Sequence, residues 1–264
     1  MSFISADEKS LGDEFLTNGR VIAPADDRGL LDRIQRRAAD LAADALCVTI
    51  PTDPLAFLDT VHERVRAAGL NDLRLAVIEG LNREPWLRPA YYALARRTLE
   101  TLVGNELCMQ RRLNLSIQMP GDDSSLLATH ADVWSGDSPF EVVVWLPLVD
   151  CFATKAMYLC PPARNAEIQA DLARFASAED IYRAIENDVE WVTVPYGHVL
   201  VFDQTLMHGN RVNAETTTRW SMNCRFKSVL SPYADKKLGE FFEPITLKPT
   251  TRRGMAYRLP GGYP

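Results

Sequence analysis

The chain has 264 residues, of which 47% are hydrophobic and 24% charged, proportions typical of globular proteins. This composition excludes a largely disordered chain, a collagen and a coiled coil. The formal charge is −6, from 29 basic and 35 acidic residues. A dedicated nucleic-acid binder usually has a strongly basic domain, so we expect no nucleic-acid partner.

The sequence gives no sign of a membrane segment or a secretory leader. Residues 1–16 contain several charged side chains, and the longest apolar run, residues 142–149, is far shorter than the roughly 20 residues that cross a bilayer. The five cysteines are widely spaced and form no C-x-x-C pair: Cys47, Cys108, Cys151, Cys160 and Cys224. We therefore expect a cytoplasmic protein whose reduced thiols pack as small buried side chains.

The first part of the chain has helical periodicity. Apolar residues recur at three- and four-residue steps over residues 30–45, 55–65 and 73–81, and a fourth helix is expected over residues 86–102. Gly69 and Gly104 are candidate helix ends. The sequence thus predicts a helical N-terminal layer over residues 1–104.

After residue 105 the period changes to two. Residues 113–119 and 219–226 alternate apolar and polar side chains, which is typical of strands. Shorter strands are expected at residues 140–148, 156–159, 191–194 and 199–202, with turns between them and one helical insertion at residues 165–188. This pattern predicts a mainly β, α+β domain, with a barrel or jelly-roll core over residues 105–230 and a tail over residues 231–264.

The two long alternating strands allow two interpretations. In the first, the polar row faces solvent and the apolar row faces the core. In the second, the apolar row packs under the helices and the polar row lines a cavity. The four helices need a sheet face against which to bury their apolar stripes, and this need favours the second interpretation.

One histidine lies in a pattern that suits a metal ion. His130 and Asp132 are two residues apart, so in an extended segment their side chains point to the same side. His208 follows the apolar run of residues 199–202. Two histidines and one carboxylate form the facial triad of non-haem iron(II) oxygenases, which leaves coordination positions open for a 2-oxo acid and dioxygen.

A possible carboxylate anchor follows His208. Arg219 and Ser221 are two residues apart in a predicted strand and therefore share one face. A guanidinium offers a planar fork that matches a carboxylate, such as the distal carboxylate of 2-oxoglutarate. Without the metal triad, Arg219 would be interpreted as a surface cation. Because it follows the triad in the sequence, a role in binding the co-substrate is the better interpretation.

Together these residues resemble a known family. His130-x-Asp132, His208-Gly209, Asn213 and Arg219-x-Ser221 are similar to the pattern of the phytanoyl-CoA hydroxylase-like iron(II)/2-oxoglutarate-dependent oxygenases. The resemblance covers roughly residues 106–228. The segments at residues 112–118, 129–136, 143–148 and 218–226 are most similar to a bacterial group found in carbohydrate-biosynthesis clusters.

The resemblance implies a fold, a metal centre and a reaction. The fold would be a double-stranded β-helix of the cupin type, in a single oxygenase domain spanning residues 1–264. Fe(II) would be bound by His130, Asp132 and His208, and 2-oxoglutarate by Arg219 with help from Ser221. With dioxygen, such a centre hydroxylates a C–H bond, and the group suggests a sugar, nucleotide-sugar or sugar-acid substrate. Related halogenases lack the carboxylate ligand, so Asp132 favours hydroxylation.

Other polar and aromatic residues are weaker candidates. Asn114 and Gln118 lie on the polar face of the first long strand and could contact 2-oxoglutarate or substrate, or face solvent. Either of two tryptophans could wall the pocket or belong to the core, and three arginines could give the cavity a positive charge or lie on the surface: Trp134, Trp145, Arg112, Arg211 and Arg225. His62 and His198 are expected outside the metal site.

Two other functions remain open at this point. One is a metal-dependent isomerase or hydrolase on a similar barrel, which would not need Arg219 and Ser221. The other is a barrel without catalysis that binds carbohydrate or a partner protein. The tail could cover the cavity or mediate a homodimer.

Overall fold

The structure is a computed structural model that describes residues 3–261. Its helices are α1 (Ala6–Asn18), α2 (Arg28–Ala45), α3 (Pro54–Asp59), α4 (Ala67–Asn82), α5 (Leu87–Ala93), α6 (Arg96–Leu102), α7 (Pro162–Gln169), α8 (Ala178–Ile185) and α9 (Pro249–Ala256). Its strands are β1 (Arg20–Pro24), β2 (Leu107–Gln110), β3 (Asn114–Gln118), β4 (Glu141–Pro147), β5 (Tyr158–Leu159), β6 (Glu190–Trp191), β7 (His198–Asp203), β8 (His208–Gly209), β9 (Arg219–Ser228) and β10 (Phe242–Pro244).

The strands form two antiparallel sheets. The larger sheet has the order β1-β7-β4-β9-β2-β10, and β3 pairs with the first half of β9. The smaller sheet has the order β6-β5-β8. The fold is α+β and mainly β, a jelly roll with an N-terminal helical layer and a helical insertion at α7 and α8, as the sequence predicts.

The helical layer covers the outer face of the larger sheet. Two hydrogen bonds join the helices to β4 and to the residue after it: the Tyr91 hydroxyl donates to the carbonyl of Val144 (2.9 Å), and the Gln35 amide donates to that of Leu148 (2.7 Å). Under the helices lies the apolar row of β9, whose side chains are fully buried: Trp220, Met222, Cys224 and Phe226. The polar row of β9 faces a cavity. The second interpretation of the alternating strands is therefore correct.

Three details of the helical layer differ from the sequence-based expectations. The helix expected at residues 86–102 is divided into α5 and α6, because the carbonyl of Leu94 accepts from the amide of Asp26 and the Asp26 carboxylate accepts from the amide of Arg97. Gly69 lies in the first turn of α4 and ends no helix. The expected helix at residues 55–65 is α3 followed by a separate 3-10 turn, Val61–Glu63.

Among the elements that were not expected from the sequence are helix α1 and strand β1. Helix α1 buries no side chain fully, and only Leu11 and Phe15 pack partly buried against the core, so its apolar stripe is too short to detect. A capping box between Ser5 and Glu8 marks its start. Strand β1 follows directly, after Gly19 ends α1 with a φ of +66°, and pairs with β7 at the sheet edge.

The C-terminal segment packs against the back of the jelly roll. Strand β10 pairs with β2, and the amides of Asp235 and Lys236 both donate to the carbonyl of Gly136 (3.1 and 3.2 Å). This segment therefore contacts the loop that follows Asp132. In residues 3–261, no helix is both long enough and apolar enough to cross a membrane.

Candidate functional site

Backbone pairing brings the two predicted histidine ligands together. His130 and His208 form an isolated antiparallel bridge and exchange both hydrogen bonds, at 3.0 and 2.8 Å. The amide of Asp132 donates to the carbonyl of Gln204 (3.1 Å), which holds the next segment in place. Residues 78 positions apart in the chain are thus fixed relative to one another by peptide geometry.

Three ligand atoms converge at this bridge. Asp132 Oδ1 lies 3.6 Å from His130 Nε2 and 4.0 Å from His208 Nε2, and one ligand atom from each residue lies within 4.8 Å of the others. Among the described residues, this is the single group of at least three His, Cys, Asp or Glu side chains with such spacing. Its donor set, two imidazoles and one carboxylate, is that of the facial triad.

The hydrogen bonds of the imidazoles prepare their Nε2 atoms for a metal. His130 Nδ1 lies 2.8 Å from the carbonyl of Ala128, and His208 Nδ1 lies 2.8 Å from the carbonyl of Leu206. A carbonyl oxygen can only accept, so each Nδ1 carries a proton, and in the neutral form of each imidazole Nε2 keeps its lone pair. Both lone pairs are then available to a metal ion, as in metal sites whose ligands are oriented by backbone carbonyls.

Electrostatics shift the pKa values of all three side chains. Burial alone would lower the pKa of His130, but hydrogen bonding to Asp132 and to the carbonyl of Ala128 outweighs burial and raises that pKa. Burial, together with the charge of His130, lowers the pKa of His208 to about 4, so His208 is neutral at pH 7. Burial alone would raise the pKa of Asp132. However, the hydrogen bond from His130 and the charge of Arg225 outweigh burial and hold that pKa well below its usual range. The carboxylate is therefore ionised.

The three residues lie in a cavity of about 710 Å³ between the sheets. Most of its other lining residues come from α4, from β3, β4, β7 and β9, and from the loop at residues 124–127. Of the predicted site residues, the cavity brings together His130, Asp132, His208, Arg219, Ser221 and Asn114. It is large enough for a small-molecule ligand.

Arg219 is buried in the cavity wall without an acidic partner. Its two terminal nitrogens donate to the carbonyl of Ala156 (3.0 Å) and the hydroxyl of Ser116 (2.8 Å), but its Nε has no partner. The hydroxyl of Ser221, on the same strand face, also has none. Burial lowers the pKa of Arg219 to about 10, which leaves it charged at pH 7. A buried charge is costly without a counter-ion, so this wall suits an anionic ligand.

Asn114 and Gln118 are placed differently. Asn114 lies at the exposed end of β3, lines the cavity and donates to the side chain of Asn223 (2.9 Å). Gln118 is fully buried and does not line the cavity; its amide donates to the carbonyl of Arg211 and accepts from Asn210. Gln118 is thus occupied in holding the loop after β8, and the structure does not bring it to the cavity with the other predicted site residues.

The weaker candidates also separate. Trp145 lines the cavity, whereas Trp134 lies outside it with its indole donating to Gln169 (3.3 Å). Arg211 pairs with Glu179 on α8 (2.7 Å), and Arg112 is likewise absent from the lining. His62 is hydrogen-bonded to Thr218, and His198 begins β7; neither belongs to the metal group. Four cysteines are buried, and Cys47 is exposed.

The sequence did not single out several residues that the structure places at the site. Asn71 and Arg74 of α4 lie at the cavity wall, and their side chains are hydrogen-bonded to each other (2.7 Å). Asp137 was not singled out either; it lies behind Arg225, the weaker candidate that lines the cavity and binds Asp132 (2.8 Å). Asp132 and Arg225 are 93 positions apart, so only the pairing of strands could reveal this contact.

Of the comparisons with known proteins, the one with solved structures supports the fold. No family model matches the sequence, and no curated protein matches it. Solved structures that are similar over most of the chain include those of EctD, AviO1 and ThoJ. EctD from S. alaskensis, with 2-oxoglutarate and 5-hydroxyectoine, has a TM-score of 0.55 and 17% identity, covering 87% of this chain and 78% of its own. AviO1 from Streptomyces viridochromogenes Tue57 has a TM-score of 0.54 and 16% identity; the match covers 88% of this chain and 99% of the AviO1 chain.

The third is a nickel complex of the non-heme monooxygenase ThoJ, with a TM-score of 0.52 and 16% identity, covering 90% of this chain and 84% of its own. At such identities the likeness shows a shared architecture. The cupin-type jelly roll expected from the sequence is thereby confirmed.

Proposed function

We propose that the protein is an Fe(II)- and 2-oxoglutarate-dependent oxygenase that hydroxylates a C–H bond of a small polar molecule. The observation that carries this proposal is the placement of two complementary groups in one cavity. The His130, Asp132 and His208 ligand atoms converge at one part of the wall, and the buried guanidinium of Arg219 has a free donor at another. A 2-oxo acid with a second carboxylate needs both groups.

The residues present fit the metal. Neutral imidazoles and a carboxylate suit Fe(II), and three protein ligands leave positions for a bidentate co-substrate and dioxygen. When bound, iron with 2-oxoglutarate and dioxygen supplies the oxidation of a C–H bond, with succinate and carbon dioxide as co-products. The protein contributes the geometry: the His130–His208 bridge sets the ligand spacing.

The residues present also fit the co-substrate. The unpartnered Nε of Arg219 and the unpartnered hydroxyl of Ser221 are donors in a buried wall, and a carboxylate accepts from both types of donor. We infer that they hold the distal carboxylate of 2-oxoglutarate. Apolar side chains around them, among them Trp145 and Phe202, keep bulk water from the reacting groups.

The remaining part of the cavity supports a hydroxyl-rich or acidic substrate. The amides of Asn71, Asn114 and Asn223 and the guanidinium of Arg74 line it. Amide groups donate to and accept from hydroxyls, and a guanidinium binds carboxylate or phosphate. We therefore propose a sugar, nucleotide-sugar or sugar acid as the substrate class. The monooxygenase and 2-oxoglutarate-complex descriptions of the structural neighbours support the same reaction class.

The test is succinate formation. The purified protein is incubated with 2-oxoglutarate, Fe(II), ascorbate and air, and succinate is measured with and without a panel of sugar acids and nucleotide-sugars. We expect succinate that depends on iron and dioxygen and increases with the true substrate. Wild-type protein that binds metal but forms no succinate under any of these conditions would contradict the proposal and favour a non-oxidative or binding barrel.

A further inference from the structure

Arg225 lies between two buried carboxylates. Its Nη2 is 2.8 Å from Asp132 Oδ1, and its Nε is 3.3 Å from Asp137 Oδ1. The Asp137 side chain is fully buried, and Lys236 forms an ion pair with its other oxygen, Oδ2. The four side chains thus form a chain of alternating charge that begins at a candidate metal ligand and ends in the C-terminal segment.

Arg225 contacts the Asp132 oxygen that faces the two histidines. Oδ1 is the atom that lies 3.6 Å from His130 Nε2 and 4.0 Å from His208 Nε2. A metal bound by the three residues would therefore share this oxygen with the guanidinium. Two cations on one buried carboxylate repel each other, and a protein interior screens that repulsion weakly.

Asp137 offers Arg225 a second partner. Its Oδ1 lies 3.3 Å from Nε of the same guanidinium and accepts no hydrogen bond, while Lys236 pairs with its Oδ2. The position of Lys236 is fixed by the backbone, because the amides of Asp235 and Lys236 both bind the carbonyl of Gly136. The guanidinium of Arg225 can therefore form a closer ion pair with Asp137 without a change in the surrounding fold.

We propose that Arg225 is a positioning residue that lowers the metal affinity of the site by sharing Asp132 Oδ1 with the metal. In protein stripped of metal, Arg225 keeps the buried Asp132 carboxylate paired. When a metal binds, the guanidinium moves toward Asp137, and the Asp137–Lys236 pair determines how readily it does so. This inference rests on the metal centre of the proposed function.

The experiment measures Ni²⁺ affinity by calorimetry in the full chain, with far-UV circular dichroism to verify folding. In Arg225→Gln the competing charge is removed, and Ni²⁺ should bind about tenfold more tightly or better. In Asp137→Asn the guanidinium keeps Asp132 as its single acidic partner, and Ni²⁺ should bind about tenfold more weakly. General damage to the site would weaken binding in both variants, so the opposite signs are diagnostic.

Two neighbouring lysines provide a matched control. Lys236→Met leaves Asp137 free to hold Arg225 and should tighten Ni²⁺ binding. Lys237→Met removes the same charge from an exposed side chain and should leave binding unchanged. If Arg225→Gln does not fold, Asp137→Asn and Lys236→Met still carry the test.

Equal affinity in all folded variants, or weaker binding in both Arg225→Gln and Lys236→Met, would overturn the inference. Failure of wild-type protein to bind Ni²⁺ would instead remove the proposed metal centre, and the inference with it. The two failures are therefore distinguishable in one set of titrations.

Discussion

The indole N–H of Trp220 donates a hydrogen bond to the carbonyl oxygen of Leu58, 2.9 Å away. Both residues are fully buried. This bond joins α3 to β9, the strand whose opposite face carries Arg219 and Ser221. The helical layer is therefore attached to the sheet directly behind the predicted carboxylate anchor.

Trp220→Phe tests this attachment. The substitution removes the indole N–H, leaves the Leu58 carbonyl without its donor and creates a small cavity. We expect a loss of about 2–4 kcal/mol in the free energy of unfolding. Urea denaturation followed by circular dichroism measures the loss. Trp134→Phe is the control, because Trp134 is partly exposed and should cost far less.

His130→Ala tests the metal centre. The variant removes one of three ligands from a side chain that is partly exposed, so the fold should remain intact. Ni²⁺ binding by calorimetry should weaken by about 100-fold or more, and iron-dependent succinate formation should stop. His62→Ala is the matched control, since its imidazole binds Thr218 outside the cavity. Normal turnover in His130→Ala would refute the ligand assignment.

Arg219 variants test the co-substrate anchor. A charge-assisted hydrogen bond contributes on the order of 1.5–3 kcal/mol, so Arg219→Ala should raise the KM for 2-oxoglutarate roughly ten- to hundredfold. Arg219→Lys should recover only part of this loss, because an ammonium cannot form the planar fork. Ni²⁺ affinity is measured separately and should change little. An unchanged KM in Arg219→Ala would place the co-substrate elsewhere.

Glu141 predicts a pH dependence of stability. Burial, with the nearby charge of Asp137, raises the pKa of Glu141 from 4.5 to about 7 in the folded protein. Since the folded state binds this proton more tightly than the unfolded state, the contribution of Glu141 to stability decreases as the pH rises from about 4.5 to about 7. Glu141→Gln, which carries no charge at any pH, should remove that dependence.

Urea denaturation at about pH 5 and about pH 8 gives the free energy of unfolding of wild type and Glu141→Gln, and the change between the two pH values is then compared for the two proteins. The variant should gain stability relative to wild type as the pH rises, by up to about 3 kcal/mol. Glu243→Gln is the control, because Glu243 is half-exposed in an ion pair with Arg88. The same pH dependence in wild type and Glu141→Gln would show that Glu141 is ionised throughout.

Long periodic elements were predictable from the sequence. The strands β3 and β9 alternate over their whole length, and α2 buries one continuous stripe. Strands β5, β6 and β8 contain two residues each, which is too short for any periodicity. The division between α5 and α6 depends on Asp26, a residue about 70 positions away, so local sequence could not indicate it.

In the candidate site, too, residues that share a short motif were predictable from the sequence, whereas contacts between distant residues were not. His130 and Asp132 were found because two ligands share one short motif, and Arg219 because its face carries Ser221. Arg225 lies on the same predicted strand face as Arg219 and Ser221, whereas Arg211 lies outside that strand, but the sequence could not show which acidic side chain each arginine meets. Burial separates them: Arg225 lies against Asp132, whereas Arg211 reaches out to Glu179 on α8.

The reciprocal backbone hydrogen bonds between His130 and His208 have a consequence for how the site can fail. Rotation of a side chain can move one imidazole, but the distance between the two main chains changes only if the bridge itself breaks. Opening of that bridge is a local unfolding event, and it exposes the amides of both histidines to exchange with solvent. The rate at which these two amides exchange therefore reports the lifetime of the intact ligand pair, and a bound metal should slow both amides together.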